Sequence, residues 1–175
     1  SFFYELREAA AEAGVSLINH WLSRKQQDCG LVLQDESPWQ VMKVKDRVKE
    51  LERKLKKMPD QAACTRELYE SAVCDFYSSV RETWERLVEE RLLNGVVGRF
   101  QPSVKTQSLK GVVVEDMDYK KIFFAMGKAS NYSGHDKAVA RCTSFPSQKE
   151  MIEDLEELRK YDKELGTRAE TIGSA

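Results

Sequence analysis

Apolar residues recur at steps of three and four along most of this chain, the spacing that lines them up on one face of a helix. The clearest series is Tyr69, Val73, Phe76, Val80, Trp84 and Leu87, with Tyr77, Val88 and Leu92 in a second line beside it. It predicts a long helix over 63–94 whose wide apolar arc packs against neighbours on more than one side. Asn94-Gly95 and Gly98 weaken its end. Upstream, Val41, Val44, Val48, Leu51 and Leu55 form the stripe of another helix. Ser37 is its candidate N-cap, Pro38 its first helical residue, and Pro59 closes it after about Met58. Phe2, Phe3, Leu6, Ala9, Ala10 and Ala13 mark a helix over 1–13, which Gly14 stops.

Downstream, residues 103–115 read as a loop with a short extended piece at Val112-Val113-Val114. Asp116 or Asp118 can cap a helix carrying Ile122, Phe123 and Met126. Residues 129–136, ASNYSGHD, read as a polar loop. Pro146 and Ser147 precede a last helix with Met151, Ile152, Leu155, Leu158 and Leu165. One region departs from the helical period. VSLINHWL (15–22) and Gly30-Leu31-Val32-Leu33, joined by the polar link 23–28, read as a β-hairpin or two edge strands. The expected fold is therefore mainly α, a long central helix packed by other helices, with a small hairpin near the N-terminus.

Composition narrows the picture. The 175 residues are 41% hydrophobic and 33% charged, which suits helices with solvated faces around a core, and the net charge of −1 gives no overall pull towards nucleic acid. No apolar run approaches the ~18 residues of a membrane span, and Ser1-Phe2-Phe3-Tyr4 lacks the basic lead of a signal peptide. Cys29, Cys64, Cys74 and Cys142 form no CxxC pair and lie far from both histidines. Scattered reduced thiols of a cytoplasmic protein are the plainer reading, and no metal site is expected. The chain starts at Ser inside a helix and ends on the loose stretch 171–175, as a fragment of a longer protein would.

Few residues carry candidate chemistry. Gly127-Lys128-Ala129-Ser130 has the look of a P-loop end, but position 122 is Ile where that motif needs Gly, so it is set aside. Arg81 and Glu85, four apart, project side by side, either as a structural ion pair or as part of a site. His135 sits in a loop between Gly134 and Asp136, where a carboxylate can raise its pKa. It is either simply exposed or a general acid/base. An Arg/Glu/His trio suits RNA phosphodiester cleavage, with His and Glu moving protons and Arg stabilising charge on phosphorus. His20, beside Trp21, is expected to be structural. Lys43, Lys45, Arg47, Lys49, Arg53, Lys54, Lys56 and Lys57 outnumber the nearby acids Asp46, Glu50 and Glu52. Of these, Lys43, Lys45, Lys49, Arg53 and Lys56 are the candidate nucleic-acid contacts, against the alternative of a solvated helix face.

PWQVMKVKDRVKELERKLKK, VRETWERLVEERLLNGVVGRFQPSVKTQSLKGVV and the YSGHDKA loop together resemble one family. It is the C-terminal region of bacterial coiled-coil AAA/ABC-type ATPases, SMC-like proteins related to the tRNA-anticodon-nuclease ATPases of phage defence. The resemblance covers nearly the whole chain and is most specific around Arg81–Phe100. It implies that residues 1–35 end an ATPase head, that 36–170 form an appended helical domain, and that the Walker and signature segments lie upstream. ATP and Mg would then belong to the parent protein, with no cofactor in this chain. Arg81, Glu85 and His135 match the order of the nuclease residues of those relatives, over a longer Glu85–His135 spacing and with different flanking residues. The implied function is an effector or regulatory domain, an ATP-gated RNase acting on tRNA. The rival is a non-catalytic module that dimerises or braces ATPase heads on DNA. The implied partners are the upstream head, a second copy, and tRNA or DNA, with no membrane.

Overall fold

The computed structural model describes residues 6, 9–18, 20–24, 29–34, 39–99, 101, 103–133 and 144–173. It divides the chain into two compact units, residues 1–42 with 99–103, and residues 43–98 with 104–175.

In the first unit, residues 9–12 are helical. The helix stops where Gly14 takes φ +64°, and the Val15 and Gly14 amides donate back to the Ala10 and Ala11 carbonyls at 2.9 and 3.2 Å. A side chain at Gly14 would be strained in that left-handed conformation, so the stop is encoded in the glycine itself. The strands β1 (His20–Arg24) and β2 (Cys29–Gln34) pair antiparallel, with His20 opposite Gln34 and Leu22 opposite Val32. Residues 15–18, expected to be extended, join no strand, and Val15 and Ile18 are exposed. Trp39–Val41 form one 3-10 turn. Ser37 and Pro38, expected to open the next helix, lie outside the described residues, as do Phe2 and Phe3.

The second unit is a bundle of four helices: α1 (Val44–Lys56), α2 (Arg66–Leu87), α3 (Asp116–Tyr132) and α4 (Gln148–Gly173). The long central helix is α2, whose N-cap Thr65 accepts from the Leu68 amide at 3.3 Å. Tyr69, Val73, Phe76, Tyr77, Val80, Trp84 and Leu87 are all buried on it, as the periodicity requires. Their arc faces the three other helices, each of which packs on α2. From α1 come Val44, Val48, Leu51 and Leu55, and from α4 Met151, Leu155, Leu158, Tyr161 and Leu165, all buried.

The ends of α2 and α1 are coupled. Beyond Leu87 the chain widens into one π-helical turn, Val88–Leu92, closed by the Leu93 amide on the Val88 carbonyl at 2.9 Å. Asn94 and Gly95 then both take positive φ, 48° and 65°. The turn carries Glu90, whose Oε2 accepts from the Val44 amide at 3.1 Å. Lys43, the N-cap of α1, makes no side-chain cap, so Glu90 fills that place. Helix α1 consequently begins at Val44, six residues later than Pro38.

Residues 106–111 form a 3-10 turn where a loop was expected, and Val112 after it is extended, as expected, though 112–114 join no strand. Glu115, not Asp116, is the N-cap of α3, and its amide donates to Asp118 Oδ2 at 2.8 Å. The expected loop at 129–136 is helical through Tyr132, because Ala129 is buried and Tyr132 lies against Tyr77 with ring centroids 5.0 Å apart. Ser147 and Glu150 close a reciprocal capping box at the start of α4, whose last residues, 171–173, continue the helix into the expected tail. Among the described residues no helix is long and apolar enough to cross a membrane.

Candidate functional site

Arg81 and Glu85 lie one turn apart on α2, on a line that also carries the buried Tyr77 and Leu92. Arg81 Nε stands 3.5 Å from Glu85 Oε1, an ion pair beyond hydrogen-bonding distance. Their side chains are 36% and 23% exposed, so the pair sits at the surface of the bundle rather than sealed inside it. The buried Nε of Arg81 has no hydrogen-bond partner among the described residues. His135 lies outside the described residues, so the structure joins two members of the expected trio and leaves the third unplaced.

The candidate nucleic-acid residues are together on one element. Lys43, Lys45, Lys49, Arg53 and Lys56 are all exposed on α1, opposite its buried stripe. Lys49 pairs with Asp46 at 3.0 Å and Arg53 with Glu50 at 2.8 Å. Two other cations of that series leave the surface. Arg47 is buried and donates from Nη1 to the Glu82 carbonyl at 2.7 Å, and Lys54 reaches Asp75 and Ser79 of α2. His20 is exposed at the end of β1, where the sequence suggested a structural role.

Sequence reasoning missed the most elaborate polar cluster. Asp118 is 2% exposed and accepts from Tyr161 Oη at 2.6 Å, from both Nη atoms of Arg168 at 2.6 and 3.2 Å, and from the Glu115 amide. Burial alone would push the Asp118 carboxyl up. The Arg168 and Tyr161 hydrogen bonds outweigh it and hold the carboxyl below its ordinary range. Burial and the Asp118 hydrogen bond push the Tyr161 hydroxyl up. A second cluster joins Tyr77 Oη to Asp154 Oδ2 at 2.5 Å and Lys128 Nζ to Asp154 Oδ1 at 2.6 Å. Both clusters are closed on themselves, tying α3 to α4 and α2 to α4. Lys128 and its neighbours Gly127, Ala129 and Ser130 lie within α3, away from any strand-to-helix turn. No group of three His, Cys, Asp or Glu arranged to hold a metal occurs among the described residues.

The outer face of α3 is of a different kind. Met117, Tyr119, Phe123 and Phe124 are 61%, 67%, 58% and 70% exposed. The sequence marks Phe123 only as one of the apolar residues of this helix, beside Ile122 and Met126. Two successive residues of a helix point about 100° apart, and Ile122 and Met126 hold the half-buried side, which turns Phe123 and Phe124 outward. The rings of Phe123 and Phe124 meet edge-on at 5.7 Å, and Tyr119 lies 5.7 Å from Phe123. Four large apolar side chains within two turns exceed the scatter of single exposed hydrophobes on a monomer surface.

Compared with protein-family models, curated proteins and solved structures, the chain matches none.

Proposed function

We propose that this chain is a non-catalytic helical module that dimerises through the outer face of α3, appended in its parent protein to an SMC-like ATPase head. The observation that carries the dimer is the exposed set Met117, Tyr119, Phe123 and Phe124. The setting rests on the resemblance of the sequence alone. A second copy is the occupant this face fits best, because the face is self-complementary. An antiparallel two-fold pairing centred between Lys120 and Lys121 sets Tyr119 against Phe123 and Met117 against Phe124. Each contact is made twice. Gly127 offers open space on the same face, where a partner ring can come close.

Sedimentation velocity on the full chain tests this reading. A monomer–dimer equilibrium is expected, shifted to monomer by Phe123→Glu/Phe124→Glu with the circular dichroism spectrum unchanged. A wild-type chain that stays monomeric at every attainable concentration would end it.

A second reading has one observation in its favour. Arg81 and Glu85 stand together at the surface of the bundle, 36% and 23% exposed, where the Arg81 guanidinium is the group that the nuclease reading of Arg81, Glu85 and His135 sets against a phosphate. RNA cleavage by the parent protein, lost in His135→Ala while ATP hydrolysis continues, is its test.

A further inference from the structure

The outer face of α1 is rich in exposed cations. Lys43, Lys45, Lys49, Arg53, Lys56 and Lys57 are exposed there, and two carboxylates, Asp46 and Glu50, sit among them. A third, Glu52, is turned towards Arg159 of α4 at 3.3 Å. None of Lys43, Lys45, Lys56 and Lys57 has a carboxylate partner among the described residues. The cations are also in line. At about 100° per residue, Lys45, Lys49 and Lys56 fall within about 40° of one another around the axis and span about 17 Å along it. The helix is held rigidly beneath them. Its apolar stripe is buried, its first amide is capped by Glu90, and Arg47 and Lys54 bind it to α2.

We infer that this row is a docking surface for the phosphodiester backbone of a nucleic-acid duplex. A rigid line of cations matches a polyanion that carries about one charge per 1.7 Å of its axis. The same burial argues against a membrane surface, since an interfacial helix must insert its apolar face and that of α1 is already occupied. The row offers flexible cationic side chains, one of them, Lys49, shared with Asp46 at 3.0 Å, so the contacts are to phosphates and independent of base sequence. The inference uses none of the residues of the α3 dimer face and does not rest on dimerisation.

Fluorescence anisotropy of the full chain with labelled DNA and RNA duplexes, over a series of KCl concentrations, tests it. The charge-neutral variant is Lys45→Gln/Lys49→Gln/Lys56→Gln, since glutamine keeps the helix propensity of lysine. Lys160→Gln/Lys163→Gln, at exposed positions of α4, is the control. Binding of at least one duplex is expected, whichever sugar it carries. Its slope of log K against log [salt] should flatten in the α1 variant by about 0.9 for each lysine that meets a phosphate, with the control unchanged. Absence of duplex binding at low salt overturns the inference, as does an equal loss in the control. So does equally tight binding of phosphatidylserine vesicles or polyglutamate through the same three lysines.

Discussion

Asp118 concentrates the electrostatics of the bundle in one residue. Its carboxylate is buried, and Tyr161, Arg168 and the Glu115 amide take up its lone pairs. Asp118→Asn keeps the shape and removes the charge, leaving Arg168 to face Glu115 and Glu164 at 3.5 and 3.6 Å. Breaking a buried pair in this way costs about 3–5 kcal/mol, less here because Arg168 keeps those outer partners. The pH dependence has a definite sign. A carboxyl held below its ordinary range contributes stability that is complete above the unfolded value near 3.9 and is lost as pH falls through the folded value. Thermal melts from neutral to acid pH should therefore show a shallower acid loss in Asp118→Asn than in the wild type. Parallel acid limbs would show that Asp118 is not held down. Gly111 makes a steric point. A Cβ there would stand 2.5 Å from Asn94 Nδ2, and that amide is committed to the Ser108 carbonyl at 2.9 Å. Gly111→Ala should cost about 1–3 kcal/mol by overpacking, read as a lower urea midpoint. Asn94→Gly in the same chain should recover part of it, because a glycine accepts the positive φ and clears the space.

At the scale of the element, the capping of α1 is the feature most open to test. Glu90→Ala removes the acceptor of the Val44 amide and the partner that Arg86 has at 3.5 Å. A lost cap costs about 0.5–2 kcal/mol. Glu90→Gln keeps an acceptor oxygen and should lose the smaller part, so the two urea midpoints should order as wild type, Gln, Ala. Equal midpoints for Gln and Ala would assign the effect to charge rather than to the cap. The same contact explains what the sequence could and could not disclose. The stripes of α1, α2 and α4 were legible because helical periodicity is local. The start of α1 was not, because its cap lies 46 positions away. The end of α3 was misread for a similar reason. Ala129 to Tyr132 has loop composition, and the burial of Ala129 and the packing of Tyr132 on Tyr77 keep it helical. The Asp118 cluster was invisible because its partners Tyr161 and Arg168 are 43 and 50 positions along. Arg81 beside Glu85 was readable from helix geometry alone, and so was the basic face of α1. That Phe123 and Phe124 turn outward was not, since an apolar pair gives no sign of which side the core occupies.

For the four-helix unit as a whole, α2 is the shared wall, and Trp84 stands where it counts most. Its ring is 2% exposed and lies against Tyr161 of α4 with centroids 5.7 Å apart, and Tyr161 in turn donates to Asp118 of α3. One aromatic side chain thus supports three helices through a single file of contacts. Truncating a buried Trp costs about 3–5 kcal/mol, a large share of the ~5–15 kcal/mol that holds an ordinary domain together. Trp84→Ala should therefore lower the urea midpoint of the whole unit rather than loosen one helix. The cooperative expectation is a far-UV circular dichroism transition that moves as one step, with its slope against urea kept, since the slope follows the surface exposed on unfolding. Trp84→Phe, which keeps a ring against Tyr161, should recover much of the loss. Alkaline melts extend the argument. Burial and a carboxylate push the hydroxyls of both Tyr77 and Tyr161 up, so the folded state holds their protons more tightly than the unfolded chain does. That contribution is complete below the unfolded tyrosine value near 10 and is lost as pH rises above it. Tyr161→Phe should flatten the alkaline loss of Tm, and an unchanged alkaline limb would separate Tyr161 from the cooperative core around Trp84.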